Sequence, residues 1–121
     1  MTNRPLSPHL QVYRPQLTSV LSILHRATGI VIAIGAVAIA AWIWSLSAGQ
    51  GPFEFVNDLL ASVVGKICLF AWTACTAYHL CNGVRHLVWD AGFGFELSQA
   101  YFSGKVVLAL TVVLTLMVWM L

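Results

Sequence analysis

Between Lys66 and Arg85 the chain reads Ile67-Cys68-Leu69-Phe70-Ala71-Trp72-Thr73-Ala74-Cys75-Thr76-Ala77-Tyr78-His79-Leu80-Cys81-Asn82-Gly83-Val84, eighteen residues with no charge and a single histidine. As a helix this stretch is about 27 Å long at about 1.5 Å per residue, close to the ~30 Å hydrocarbon core of a bilayer. To its amino-terminal side no charge occurs between Arg26 and Glu54, and residues 27–46 are dense in Ile, Val, Ala and Trp until Gly49, Gly51 and Pro52 break the run. To its carboxyl-terminal side Val106 to Leu121 is again uncharged, but sixteen residues give only about 24 Å, so this helix is expected to begin a turn earlier, near Phe102. The expectation is an all-α integral membrane protein, one domain over residues 1–121, with three transmembrane helices at about 18–47, 62–87 and 102–121. The stretch from Ala48 to Asn57 reads as a short, mildly acidic loop.

Composition agrees. Of 121 residues, 60% are hydrophobic and only 8% charged, where an average soluble domain has about a quarter charged. So short a chain cannot hide that much apolar surface in its own core, so lipid or partner subunits must cover it. The formal charge of +2 and the lack of any Lys/Arg run give no footprint for nucleic acid. Arg4, Arg14 and Arg26 flank the first span, and Arg85 and Lys105 the connection between the second and third, against Lys66 alone on the other side. Positive-inside counting puts the amino terminus in the cytoplasm. Trp42, Trp44 and Trp119 then fall at the outer interface and Trp89 at the inner one. The polar start, with Pro5, Pro8 and Pro15, has neither a signal-peptide core nor a transit-peptide pattern. That favours a bacterial inner membrane over a mitochondrial one.

Ionisable groups within a span are costly and need a reason. His79 lies six residues before Arg85, roughly 9 Å of helix inside that boundary. Neutral imidazole is a ready ligand for haem iron. Gly83 and His86 follow on the same helical face, and the missing side chain at Gly83 leaves room for a flat macrocycle. Position alone leaves a second reading open, a histidine hydrogen-bonded to a neighbouring helix beside a glycine that serves close packing. Ser22, His25, Arg26 and Gly29 form a second polar stripe at i, i+3, i+4 and i+7. There an Arg and a hydroxyl one turn apart suit a quinone head group or a propionate, although Arg snorkelling and a Ser bonded to its own helix are the ordinary alternatives. Cys68, Cys75 and Cys81 read as small apolar residues, and Cys75-Thr76-Ala77-Tyr78-His79 has Tyr where covalent haem attachment needs a second Cys. No carboxylate lies deep in a span, which counts against a proton-coupled exporter.

Arg4-Pro5-Leu6-Ser7-Pro8-His9-Leu10, Ser22-Ile23-Leu24-His25-Arg26-Ala27-Thr28-Gly29, and His79 followed by Gly83-Val84-Arg85-His86-Leu87-Val88-Trp89-Asp90 resemble the cytochrome b membrane-anchor subunits of succinate dehydrogenase, the large anchor subunits of respiratory complex II. The resemblance covers the whole chain. It implies half of a haem-binding helical bundle, completed by a second small anchor subunit. His79 would be one axial ligand of haem b and the second subunit would supply the other. Ser22 and Arg26 match quinone-site positions, while His25, Arg26 and His86 are placed for haem propionates. Asp90 and Glu96 fall where protons would reach the reduced quinone, with two ordinary loop carboxylates as the alternative. A flavoprotein subunit would oxidise succinate and an iron-sulfur subunit would pass electrons to ubiquinone at the anchor. Two other readings stay open: the anchor of a fumarate reductase, and a haem-free structural anchor in which His79 only packs.

Overall fold

The computed structural model describes residues 13–121, so the motif at residues 4–10 lies outside the described residues. The order is α1 (Leu17–Ala48), α2 (Gln50–Ala61), α3 (Val63–Asp90) and α4 (Leu97–Met120), and among the described residues there is no strand. Three of these helices are long and apolar enough to cross a membrane: α1, α3 and α4, with mean hydropathies of 2.2, 1.3 and 2.0. The protein is an all-α, multi-pass membrane protein.

Two spans differ from the expected bounds because capping, not charge, ends a helix. Helix α3 runs three residues past the expected end near 87, to Asp90, where Ala91 N–H donates to the Leu87 carbonyl and Gly92, at φ 91°, turns the chain. Helix α4 begins at Leu97, five residues before Phe102, directly after Glu96 in extended conformation. The larger departure is α2. The stretch read as a loop is mostly helix, because Gly49 alone makes the break, at φ 109°. Pro52 falls in the first turn of α2, where an amide has no carbonyl of its own helix to bond and its loss costs nothing. Ser62 separates α2 from α3 and caps α3 by accepting a hydrogen bond from Gly65 N–H at 3.0 Å.

Helix α3 packs against all three others, and α1 also meets α2 and α4. The core is small and lies towards the start of α1: Leu21, Tyr78 and Val107, flanked by Leu17 and Cys81. Tyr78, buried in an apolar setting, has to satisfy its hydroxyl, which donates to the Leu21 carbonyl at 2.6 Å. Glycines set two close approaches. A side chain at Gly35 would clash with the Trp72 indole, and one at Gly104 would lie 2.8 Å from Leu21 Cδ1. Further along α1, Ile23, Ile30, Ile34 and Val37 are each about two-thirds exposed, an apolar face for lipid or another subunit. Hydroxyls within the spans bond back to their own helices, as Thr76, Thr111 and Thr115 do to carbonyls one turn earlier. Tryptophans pin the ends: Trp42 donates to Asn57 of α2 at 3.0 Å, and Trp89 donates to the Gly94 carbonyl at 3.0 Å. All three cysteines are free.

Candidate functional site

The stripe expected on α1 forms, and α3 divides it in two. His25 and Gly29 face His79, while Ser22 and Arg26 line a cleft with His86. The division follows from helix geometry, since positions 25 and 29 stack one turn apart, as do 22 and 26, with the two rows side by side.

His79 is half-buried on α3. Its Nδ1 lies 3.1 Å from the His25 carbonyl oxygen and 3.2 Å from Thr28 Oγ1. A carbonyl only accepts, so the hydrogen sits on Nδ1 and donates to it, which leaves the Nε2 lone pair for a metal. This tautomer is assigned from the bonding pattern. Gly29 lets the ring approach α1, because a Cβ there would sit 3.2 Å from His79 Cε1. At Gly83 a Cβ would meet only His25 Cε1, at 3.9 Å, so the space beside it is open.

His25 bridges His79 and His86. Its ring stacks on His79 with centroids 3.9 Å apart and planes 10° from parallel, and on His86 at 5.1 Å and 22°. The buried His25 Nδ1 has no hydrogen-bond partner among the described residues. His86 Nδ1 is 2.8 Å from the Asn82 carbonyl one turn earlier, so it donates there, and its ring meets Trp89 edge-on. The three do not converge as a chelate: among the described residues, no group of three His, Cys, Asp or Glu side chains is placed to hold a metal ion. What they offer instead is His79 Nε2, an orphaned buried nitrogen beside it and an open glycine face. That set fits a planar, iron-centred group with polar substituents at its edge better than a bare ion.

The cleft, of about 420 Å³, is lined by Thr18, Ser19, Ser22, Arg26, His86 and Trp89 among others, with Arg85 at its wall. Ser22 is half-buried and Arg26 exposed at the cleft. Arg85 is buried and makes a clamp to α4. Its Nε donates to Ser103 Oγ at 2.9 Å, one Nη to the Ala100 carbonyl at 2.9 Å and the other to Asn82 Oδ1 at 3.3 Å, while the guanidinium lies 4.1 Å over the Trp89 ring. All three hydrogen-bond acceptors are neutral oxygens. Beyond Arg85 and Trp89 a second, apolar groove of about 600 Å³ runs between α3 and α4. Asp90 ends α3 and Glu96 precedes α4; both are exposed and neither lines the cleft.

Residues 1–118 match the family described as succinate dehydrogenase/fumarate reductase transmembrane subunit. The chain belongs to this family. It is 41% identical over 116 residues to the succinate dehydrogenase cytochrome b556 subunit of Rickettsia prowazekii, covering 96% of this chain and 90% of that one. It is 41% identical over 115 residues to the subunit of the same name from Paracoccus denitrificans, covering 95% and 88%. With the human succinate dehydrogenase cytochrome b560 subunit, mitochondrial, it shares 40% identity over 120 residues, covering 92% and 67%.

As a transmembrane subunit of this family the chain is part of an enzyme complex, and every residue of the two half-sites lies within the matched length. Sequence reasoning brought Ser22, His25, Arg26, His79 and His86 into one neighbourhood, and the structure puts them there. It missed Thr28, Asn82 and Trp89, and counted Arg85 only as a topological charge. One signal was available for Arg85: a cation four residues before a tryptophan on one helix places guanidinium over indole. Thr28 had no such signal, because its contact is with a residue 51 positions away.

Proposed function

We propose that this chain is the haem b-binding membrane anchor of a succinate:ubiquinone oxidoreductase, a single domain in a bacterial inner membrane with its amino terminus cytoplasmic. The observation that carries the reading is His79, its Nδ1–H held by the His25 carbonyl and its Nε2 free on a half-exposed face. Such second-sphere bonding fixes the ring and raises its basicity as a ligand. His79 would hold the iron from one side, and His25, Arg26 and His86 would meet the propionates. When bound, haem b supplies a reversible one-electron carrier in the membrane. A second small anchor subunit would cover the half-exposed face, complete the bundle and supply the other haem ligand, with lipid covering the rest.

Beside it, Ser22 and Arg26 bind and orient ubiquinone. A hydroxyl and a guanidinium one turn apart can both donate to one carbonyl oxygen of the head group, polarising it as it accepts electrons that the iron-sulfur subunit delivers from the flavoprotein subunit. Reduction to quinol takes two electrons and two protons. Arg26, being exposed, joins the cleft to cytoplasmic water, and Asp90, directly after the cleft residue Trp89, would with Glu96 pass protons in from the α3–α4 connection. Succinate chemistry stays on other subunits.

The test is the purified intact complex. We expect b-type absorption in the reduced-minus-oxidised spectrum, and Arg26→Ala lowering kcat/KM for ubiquinone by about tenfold or more, the worth of a charge-assisted hydrogen bond of about 1.5–3 kcal/mol. No b-type absorption would defeat the haem assignment. Unchanged quinone kinetics would defeat the quinone assignment.

A further inference from the structure

We propose that Thr28 is a positioning residue for His79, sharing with the His25 carbonyl the hold on its Nδ1–H and, resting on the reading of His79 as an iron ligand, tuning the potential of the haem it binds.

Thr28 is buried, 8% exposed. Its hydroxyl has one hydrogen and three neighbours in range: the Leu24 carbonyl at 2.8 Å, the His25 carbonyl at 3.0 Å and His79 Nδ1 at 3.2 Å. Both carbonyls are acceptors only, so the hydroxyl hydrogen goes to one of them. Towards His79 the oxygen then presents lone pairs. The His25 carbonyl independently requires a hydrogen on Nδ1, at 3.1 Å. The Nδ1–H is therefore shared between two acceptors on α1, and the opposite tautomer would set the Nδ1 lone pair against the carbonyl. Next to Thr28, Gly29 supplies the other half of the seat, taking Cε1 of the same ring at a place where a Cβ would be 3.2 Å away. A hydroxyl and a missing side chain, adjacent in sequence, hold one imidazole within 10° of the His25 plane.

The sign of the effect follows. An acceptor on Nδ1–H pulls the proton away and raises the basicity of Nε2, favouring the electron-poor ferric iron. Removing one of two acceptors weakens the ligand and moves the midpoint potential up.

The experiment is a redox titration of the haem in the intact complex for wild type, Thr28→Val, Thr28→Ala and Thr28→Ser, with low-spin ferric EPR as a second readout. Valine keeps the shape and deletes the hydroxyl; alanine deletes it without adding bulk, should valine prevent assembly. We expect an upward shift in Val or Ala and return towards the wild-type potential and EPR signal in Ser. A potential unmoved in Val or Ala while haem is bound overturns the inference. So does a Ser variant shifted as far as Val, because the methyl group rather than the hydroxyl would then matter. Wild-type complex without b-type absorption instead brings down the underlying reading of His79.

Discussion

The imidazole rings of His25 and His79 lie 3.9 Å apart, centroid to centroid, and within 10° of parallel. One side chain thus braces the other, while the His25 backbone carbonyl holds the same ring by its Nδ1–H. The two roles separate on mutation, because the carbonyl survives any substitution at position 25. We expect His25→Phe to keep the stack but lose the propionate contact, lowering haem occupancy less than His25→Ala, which loses both and weakens haem binding by about tenfold, the lower end for loss of a second-sphere support. Haem per protein in the purified complex measures both. Equal loss in the two would assign the effect to the ring nitrogens instead.

Arg85 joins α3 to α4 through two hydrogen bonds, to Ala100 and Ser103, and is held on its own helix by Asn82 and the Trp89 face. Arg85→Ala removes the tie to α4 and leaves the buried Asn82 Oδ1 without its donor, and we expect a loss of about 2–3 kcal/mol in stability. Arg85→Lys should recover little, because an ammonium lacks the planar fork that meets three oxygens at once. Unfolding of the complex in mixed micelles would measure both.

Gly35 lets the Trp72 indole lie directly on α1. Gly35→Ala forces the helices apart, at a cost of about 1–3 kcal/mol for overpacking. Adding Trp72→Leu should return much of that, so the pair is expected to be strongly non-additive. Thermal inactivation of single and double variants tests the coupling.

Asn57 accepts the Trp42 indole N–H and so ties α2 to the end of α1. Asn57→Leu is expected to cost about 1 kcal/mol and to act locally. Hydrogen exchange should rise in α2 while the histidine region keeps its protection.

The spans were legible because the membrane forbids charge over a fixed length. The windows bounded by Arg26 and Glu54 and by Lys66 and Arg85 could hardly be read otherwise. Their ends were less so: α3 runs three residues past the expected 87, and α4 begins five residues before the expected 102. Gly49, Gly51 and Pro52 suggested a loop, but a proline in a first turn is compatible with helix, and α2 begins there. In the site, spacing found the residues that share a face: Ser22 with Arg26, His25 with Gly29, His79 with Gly83. It could not find Thr28, whose contact depends on how α1 meets α3, or the burial of Arg85, whose partners Ala100 and Ser103 belong to α4. Helical periodicity carries no information about either packing angle.

The claim on which the rest depends is that His79 Nε2 binds haem iron. Reduced-minus-oxidised spectra of the assembled complex, wild type beside His79→Ala, test it most directly. The account predicts b-type absorption in the wild type and its loss in the variant with the subunits still associated. Full b-type absorption in His79→Ala would contradict it.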